Sequence, residues 1–219
     1  MKWKAMLLTG AAMVLIGPAA ASACDTYLAY TFKRITGSPL DLGGGLQIQP
    51  AEGGGPTFII PSVDLSFGLG DKAVLRPAIG LCTTAGGTQG AFGQSDTDVV
   101  FGGAIAWNVW NAPGGNLGVN LQTAVTHASR TGGSQQTIPI TAAGEFRASD
   151  EAALFLGGGI QIGRTNVEGS PSSTASGPVG FAGTTLNGGA LDFTVAIQVM
   201  RIEQDTDIAI NAAFTVPIG

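Results

Sequence analysis

Two runs decide the fold: Leu191-Asp-Phe-Thr-Val-Ala-Ile-Gln-Val-Met200 and Ile208-Ala-Ile-Asn-Ala-Ala-Phe-Thr-Val-Pro-Ile218. In the first, Leu191, Phe193, Val195, Ile197 and Val199 alternate with Asp192, Thr194, Ala196, Gln198 and Met200. After the polar turn Glu203-Gln-Asp-Thr206, Ile208, Ile210, Ala212, Phe214, Val216 and Ile218 resume the pattern against Asp207, Asn211, Ala213 and Thr215. A period of two over this length predicts two antiparallel strands, each with one apolar face and one small or polar face.

The same pattern recurs upstream. Leu40 to Gln49 places Leu40, Leu42, Leu46 and Ile48 opposite Asp41, Gln47 and Gln49, around Gly43-Gly44-Gly45. Phe58 to Leu69 and Val74 to Thr83 follow, joined by a turn at Gly70-Asp71-Lys72. Val99 to Val109, Leu117 to Ala128, Ile138 to Arg147 and Leu154 to Ile162 complete nine strands. Asp25 to Lys33 offers a tenth, with β-forming residues but little alternation. Asn166 to Asn187, rich in Ser, Gly, Pro and Thr, reads as the longest loop and as a surface for a partner. No apolar helical period appears after the N-terminal segment, so the reading is one all-β domain.

Composition says what the apolar faces meet. The 219 residues include 35 Gly, and only 11% are charged, against roughly 25% in an ordinary soluble domain. Mean hydropathy is +0.31. The polar strand faces are mostly Gly, Ala, Ser, Thr, Asn and Gln, too small and uncharged for a solvated surface. They suit the interior of a narrow membrane barrel whose apolar face meets lipid.

The N-terminus reads as an export signal, residues 1–23: Lys2 and Lys4, an apolar core from Ala5 to Ile16, the helix-breaking Gly17-Pro18, and Ala21-Ser22-Ala23 for cleavage. Without Lys2 and Lys4 the chain keeps 8 of its 10 basic residues against 15 acidic ones, a net charge of −7. That balance argues against nucleic-acid binding. Cys24 and Cys82 are the two cysteines. In an oxidising compartment they are expected to form a disulfide; lipidation of Cys24 is the competing reading.

By strand parity Asp41, Asp64, Arg76, Glu145, Arg147 and Asp192 fall on the polar face and form an expected lumen charge network. The outward, lipid-facing set comprises Leu191, Phe193, Val195, Ile197, Val199, Ile208, Ile210, Phe214 and Trp107. Regular alternation places Trp107 and Trp110 on opposite faces. His127, the only histidine, has no Cys or carboxylate cluster at ligand spacing around it, so no metal site and no cofactor are expected. No G-x-S-x-G elbow is present, and the expectation is a protein without catalytic residues.

Alternation, short turns, polar loops and export signal together resemble small bacterial outer-membrane β-barrel proteins over residues 24–219. The resemblance implies a single antiparallel up-and-down β-barrel of 8–10 strands behind a cleaved signal peptide. It implies the outer membrane as address, with the lipid bilayer and the barrel-assembly machinery as partners, and a structural, adhesive or narrow-channel role. The alternatives are a secreted or surface β-protein that self-associates, or a soluble barrel with a small apolar ligand inside. Short turns after residues 70, 110, 148 and 203, and long loops after 49, 84, 129 and 164, place both ends of a ten-strand barrel with the long loops.

Overall fold

A computed structural model describes residues 38–50, 57–85, 97–130, 132–202 and 205–218. It contains ten strands: β1 (Leu40–Gln49), β2 (Thr57–Gly68), β3 (Ala73–Ala85), β4 (Asp98–Asn111), β5 (Leu117–Arg130), β6 (Gly133–Arg147), β7 (Ala152–Val167), β8 (Ser173–Asn187), β9 (Asp192–Ile202) and β10 (Asp205–Pro217). Each pairs antiparallel with its sequence neighbour, and β1 pairs with β10 to close the barrel. Closure leaves no edge strand to pair with another chain.

One expectation about the strands is corrected. The segment Asn166 to Asn187 is not a loop: β7 continues to Val167, and β8 begins at Ser173. The tenth strand is therefore β8, and the ladder closes between β1 and β10. The strand expected over Asp25 to Lys33 lies outside the described residues. What holds β8 is its neighbours. It is fully registered against β7 from Ala152↔Leu186 to Thr165↔Ser173, and against β9 from Val179↔Met200 to Asn187↔Asp192. Ladder hydrogen bonds come from backbone, which a weakly patterned sequence supplies as well as any other.

The extra strand also reverses the expected topology. One end of the barrel holds the start of β1, the end of β10 and the turns 69–72, 112–116, 148–151 and 188–191. There Ile218 N–H donates to the Leu40 carbonyl at 3.0 Å. The longest connections, 50–56 and 86–97, join strands at the opposite end, as do 131–132, 168–172 and 203–204. Both termini of the barrel thus lie with the short turns, the usual arrangement in outer-membrane barrels. Glycine is required at those turns: Gly70 and Gly189 adopt φ of 74° and 82°, which side chains disfavour.

The outer face is apolar. Leu191, Phe193, Val195, Ile197, Val199, Ile208, Ile210, Phe214 and Trp107 all lie on it, 36–55% exposed. This inverts a soluble ligand-binding barrel, which buries its apolar residues inside. A register shift between Asn108 and Trp110 corrects one tryptophan. The bulge adds a residue, so Trp110 pairs with outward Val119 and is 48% exposed on the same face as Trp107.

Inside, bulky residues are seated over glycines. An added Cβ on Gly157 would meet the Phe181 ring, and one on Gly183 would meet the Phe155 ring. Phe155 and Phe181 lie 6.3 Å apart between centroids and are both buried. On the outer face the Phe214 ring covers Gly44, its partner across the closing seam. Aromatic cover over a strand glycine restores the packing that the missing side chain forfeits.

Candidate functional site

The lumen is built from residues that alternate with the lipid-side set. Asp64 on β2 and Arg76 on β3 are one diagonal step apart, both inward. Arg76 Nε donates to Asp64 Oδ1 at 3.2 Å and its NH2 group to Oδ2 at 3.0 Å, a two-point contact. Ser66 Oγ adds a hydrogen bond to Oδ1 at 3.2 Å. Both ions are at least 93% buried. Gly43, paired with Asp64 across the ladder, leaves the space the carboxylate occupies. Such a pair holds only because each charge is met by the other and by further hydrogen bonds.

A second charged contact lies at the short-turn mouth. Arg147 Nε donates to Glu145 Oε1 at 3.5 Å, with Glu145 buried and Arg147 largely exposed. These two line a cavity of about 110 Å³ with Asp71, Asn108, Asn111 and Asn120. Asn108 Nδ2 donates to Asn111 Oδ1 at 2.9 Å and to Asn120 Oδ1 at 3.0 Å. Asp41 and Asp192 flank the seam, opposite Pro217 and Thr215 of β10. Of the six expected lumen charges, Asp64 pairs with Arg76 and Glu145 with Arg147, while Asp41 and Asp192 lie near the closure. Sequence parity located the charges but missed Ser66, Asn108 and Asn120, whose signal was only their even spacing from the charged residues.

Cys82 also points inward. It is 1% exposed and packs with Ile60, Ala78, Val100 and Ala128. None of the described cysteines is a free thiol, and Cys24 lies outside the described residues.

One polar pair faces the other way. His127 Nε2 and Ser129 Oγ, two residues apart on β5, are 2.9 Å apart on the outer surface. The His127 ring packs against outward Phe101 of β4, with centroids 5.0 Å apart. Sequence reasoning picked out His127 but not its hydroxyl partner, although two residues apart along a regular strand share a face.

No protein-family model and no curated protein matches the chain. Solved structures do. An outer membrane channel from Pseudomonas putida F1 has a TM-score of 0.56 at 10% identity, over 87% of this chain and 99% of that one. LpxR from Salmonella typhimurium has a TM-score of 0.50 at 9% identity, over 97% and 96%. The outer membrane enzyme PagL has a TM-score of 0.39 at 14% identity, over 81% and 99%. Because the neighbours include outer-membrane enzymes, the expectation of a non-enzyme is corrected: a plain barrel without a hydrolase elbow is no argument against catalysis. At these identities the likeness speaks for the fold. Closed ladder, apolar outer belt and polar lumen agree with it: the chain folds as a ten-stranded up-and-down β-barrel, similar to these outer-membrane structures.

Proposed function

We propose that this protein is a resident of the outer membrane whose barrel is closed at rest, serving a structural or adhesive role in the cell envelope. The observation that carries this reading is the buried Asp64–Arg76 pair. A water-filled channel would solvate such ions, whereas here the surrounding lumen is packed; Gln49, Gln161 and Gln198 are also fully buried. Residues 1–23 act as the export signal, residues 24–219 form the mature protein, and insertion uses the barrel-assembly machinery.

The Cys24–Cys82 disulfide belongs to the same proposal. Leu40 is level with Leu75 of β3 through Phe67, and Cys82 lies ~23 Å further along that strand at about 3.3 Å per residue. Cys82 points inward, and a disulfide there would exclude lipidation of Cys24.

The second reading is a narrow channel, favoured by the likeness to the Pseudomonas putida F1 outer membrane channel. Planar-bilayer recording separates the two. A closed barrel gives no stable conductance, and opens only when Arg76→Ala loosens the lumen. Stable steps from the unmodified protein, with ion selectivity that changes in Arg76→Gln, establish the channel instead.

A further inference from the structure

The lipid side of β5, β6 and β7 changes character within one pleat. Val125, Ile138 and Ile162 point outward as the last apolar row toward the loop-bearing end. The next outward row is His127, Gln136 and Arg164, aligned across the three strands by His127↔Gln136 and Gln136↔Arg164. Gln136 and Arg164 are exposed. In a barrel whose apolar belt lies in the hydrocarbon, this step marks the boundary where lipid chains meet their polar heads. The ester bonds of membrane lipids lie at that depth.

We propose that His127 and Ser129 form a hydrolase site on the outer surface, which cleaves an acyl ester of an anionic lipid. The geometry supplies the main requirement, a serine hydroxyl within hydrogen-bond reach of a base. With Nδ1 carrying the ring proton, Nε2 accepts the proton of Ser129 Oγ as that oxygen attacks the ester carbonyl carbon. The tetrahedral adduct collapses by breaking the acyl C–O bond, and the leaving alcohol takes the proton from Nε2. Water then attacks the acyl-serine, gives a proton to Nε2, and releases the fatty acid as the proton returns to Ser129. Ester and water become acid and alcohol, with no other reactant needed.

Backbone N–H groups in the middle of a closed ladder are engaged with neighbouring strands, so the donor to the oxyanion is a side chain. Gln136, directly across from His127, carries an amide suited to that task. Arg164, one strand further, meets the anionic head group. The lipid itself replaces a pocket: its acyl chain lies along Phe101 and Val125 on the outer face.

The inference rests on the outer face meeting lipid and not on the closed lumen. The test uses the mature protein refolded into phosphatidylglycerol vesicles, with heat-modifiable gel mobility and an unchanged bilayer recording as controls for an intact barrel. Free fatty acid is measured alongside covalent labelling by a fluorophosphonate. Wild type is expected to release fatty acid and to be labelled at Ser129. Ser129→Ala should abolish labelling, and both Ser129→Ala and His127→Ala should lower release by about 10²-fold or more. Arg164→Gln should raise KM for phosphatidylglycerol with little change in kcat. A folded wild-type protein with neither release nor labelling overturns the proposal, as does release that persists in Ser129→Ala. Labelling without release overturns a lipid substrate.

Discussion

Two polar pairs in this barrel are chemically similar in reach and opposite in circumstance. Asp64 and Arg76 meet inside the lumen, held at two points and removed from solvent. His127 and Ser129 meet on the outside, beside an apolar belt and open to whatever surrounds the barrel. Strand parity alone decides which is which. The inward pair is costly to disturb because each ion depends on the other, while the outward pair, exposed on the surface, is expected to contribute little to folding.

The largest effect should come from breaking the inward pair on one side. Arg76→Ala leaves Asp64 buried without its two-point partner, and should lower unfolding stability by about 3–5 kcal/mol in denaturant titration. The paired replacement Asp64→Leu with Arg76→Met should recover most of that loss, because similar volume is kept and no ion is stranded. Next comes the belt. Ile197 sits mid-strand on β9 and is 55% exposed, so Ile197→Arg should cost about 2–4 kcal/mol in a bilayer refolding assay.

A smaller loss is expected within the lumen packing. Gly157→Val places methyl groups against the Phe181 ring and the Ala142 carbonyl, and overpacking of this kind typically costs about 1–3 kcal/mol. Smallest of all, Ser129→Ala should change stability by no more than about 0.5 kcal/mol, the range for exposed positions. A large loss there would make the outward pair structural and erase the contrast between the two faces.

These contrasts were legible in the sequence wherever alternation is strong, as in Leu191 to Met200, where each residue type announces its side. They were not legible at β8. Its buried Val179 and Phe181 point inward while Thr174, Ser176 and Pro178 point outward, so the usual sense is inverted over much of its length. What makes it a strand is backbone pairing on both sides and the fit of Phe181 over Gly157, neither of which a linear pattern carries. Omitting one strand also reversed the deduced position of the termini, since each strand crosses the membrane once.

The sites divide in the same way. Parity put Asp64 and Arg76 on one face, but their pairing depends on a diagonal across two strands that only the register fixes. Trp110 was misplaced because a single bulged residue shifts everything beyond it. His127 stands out in the sequence as the lone histidine, but among many serines the sequence singles out none; its 2.9 Å contact with Ser129 is fixed by the strand geometry. The absence of a G-x-S-x-G elbow is no argument against chemistry on a barrel.

The central claim, a lipid-facing exterior that includes both Trp107 and Trp110, has a direct optical test. Residues 24–219 hold two tryptophans, so the fluorescence of that segment, produced on its own, comes from Trp107 and Trp110 alone. Refolded in vesicles containing brominated lipids, the protein should lose emission from both, and Trp107→Phe and Trp110→Phe variants should each remain strongly quenched. Emission from Trp110 that brominated lipid leaves untouched would return that ring to the lumen and contradict the account.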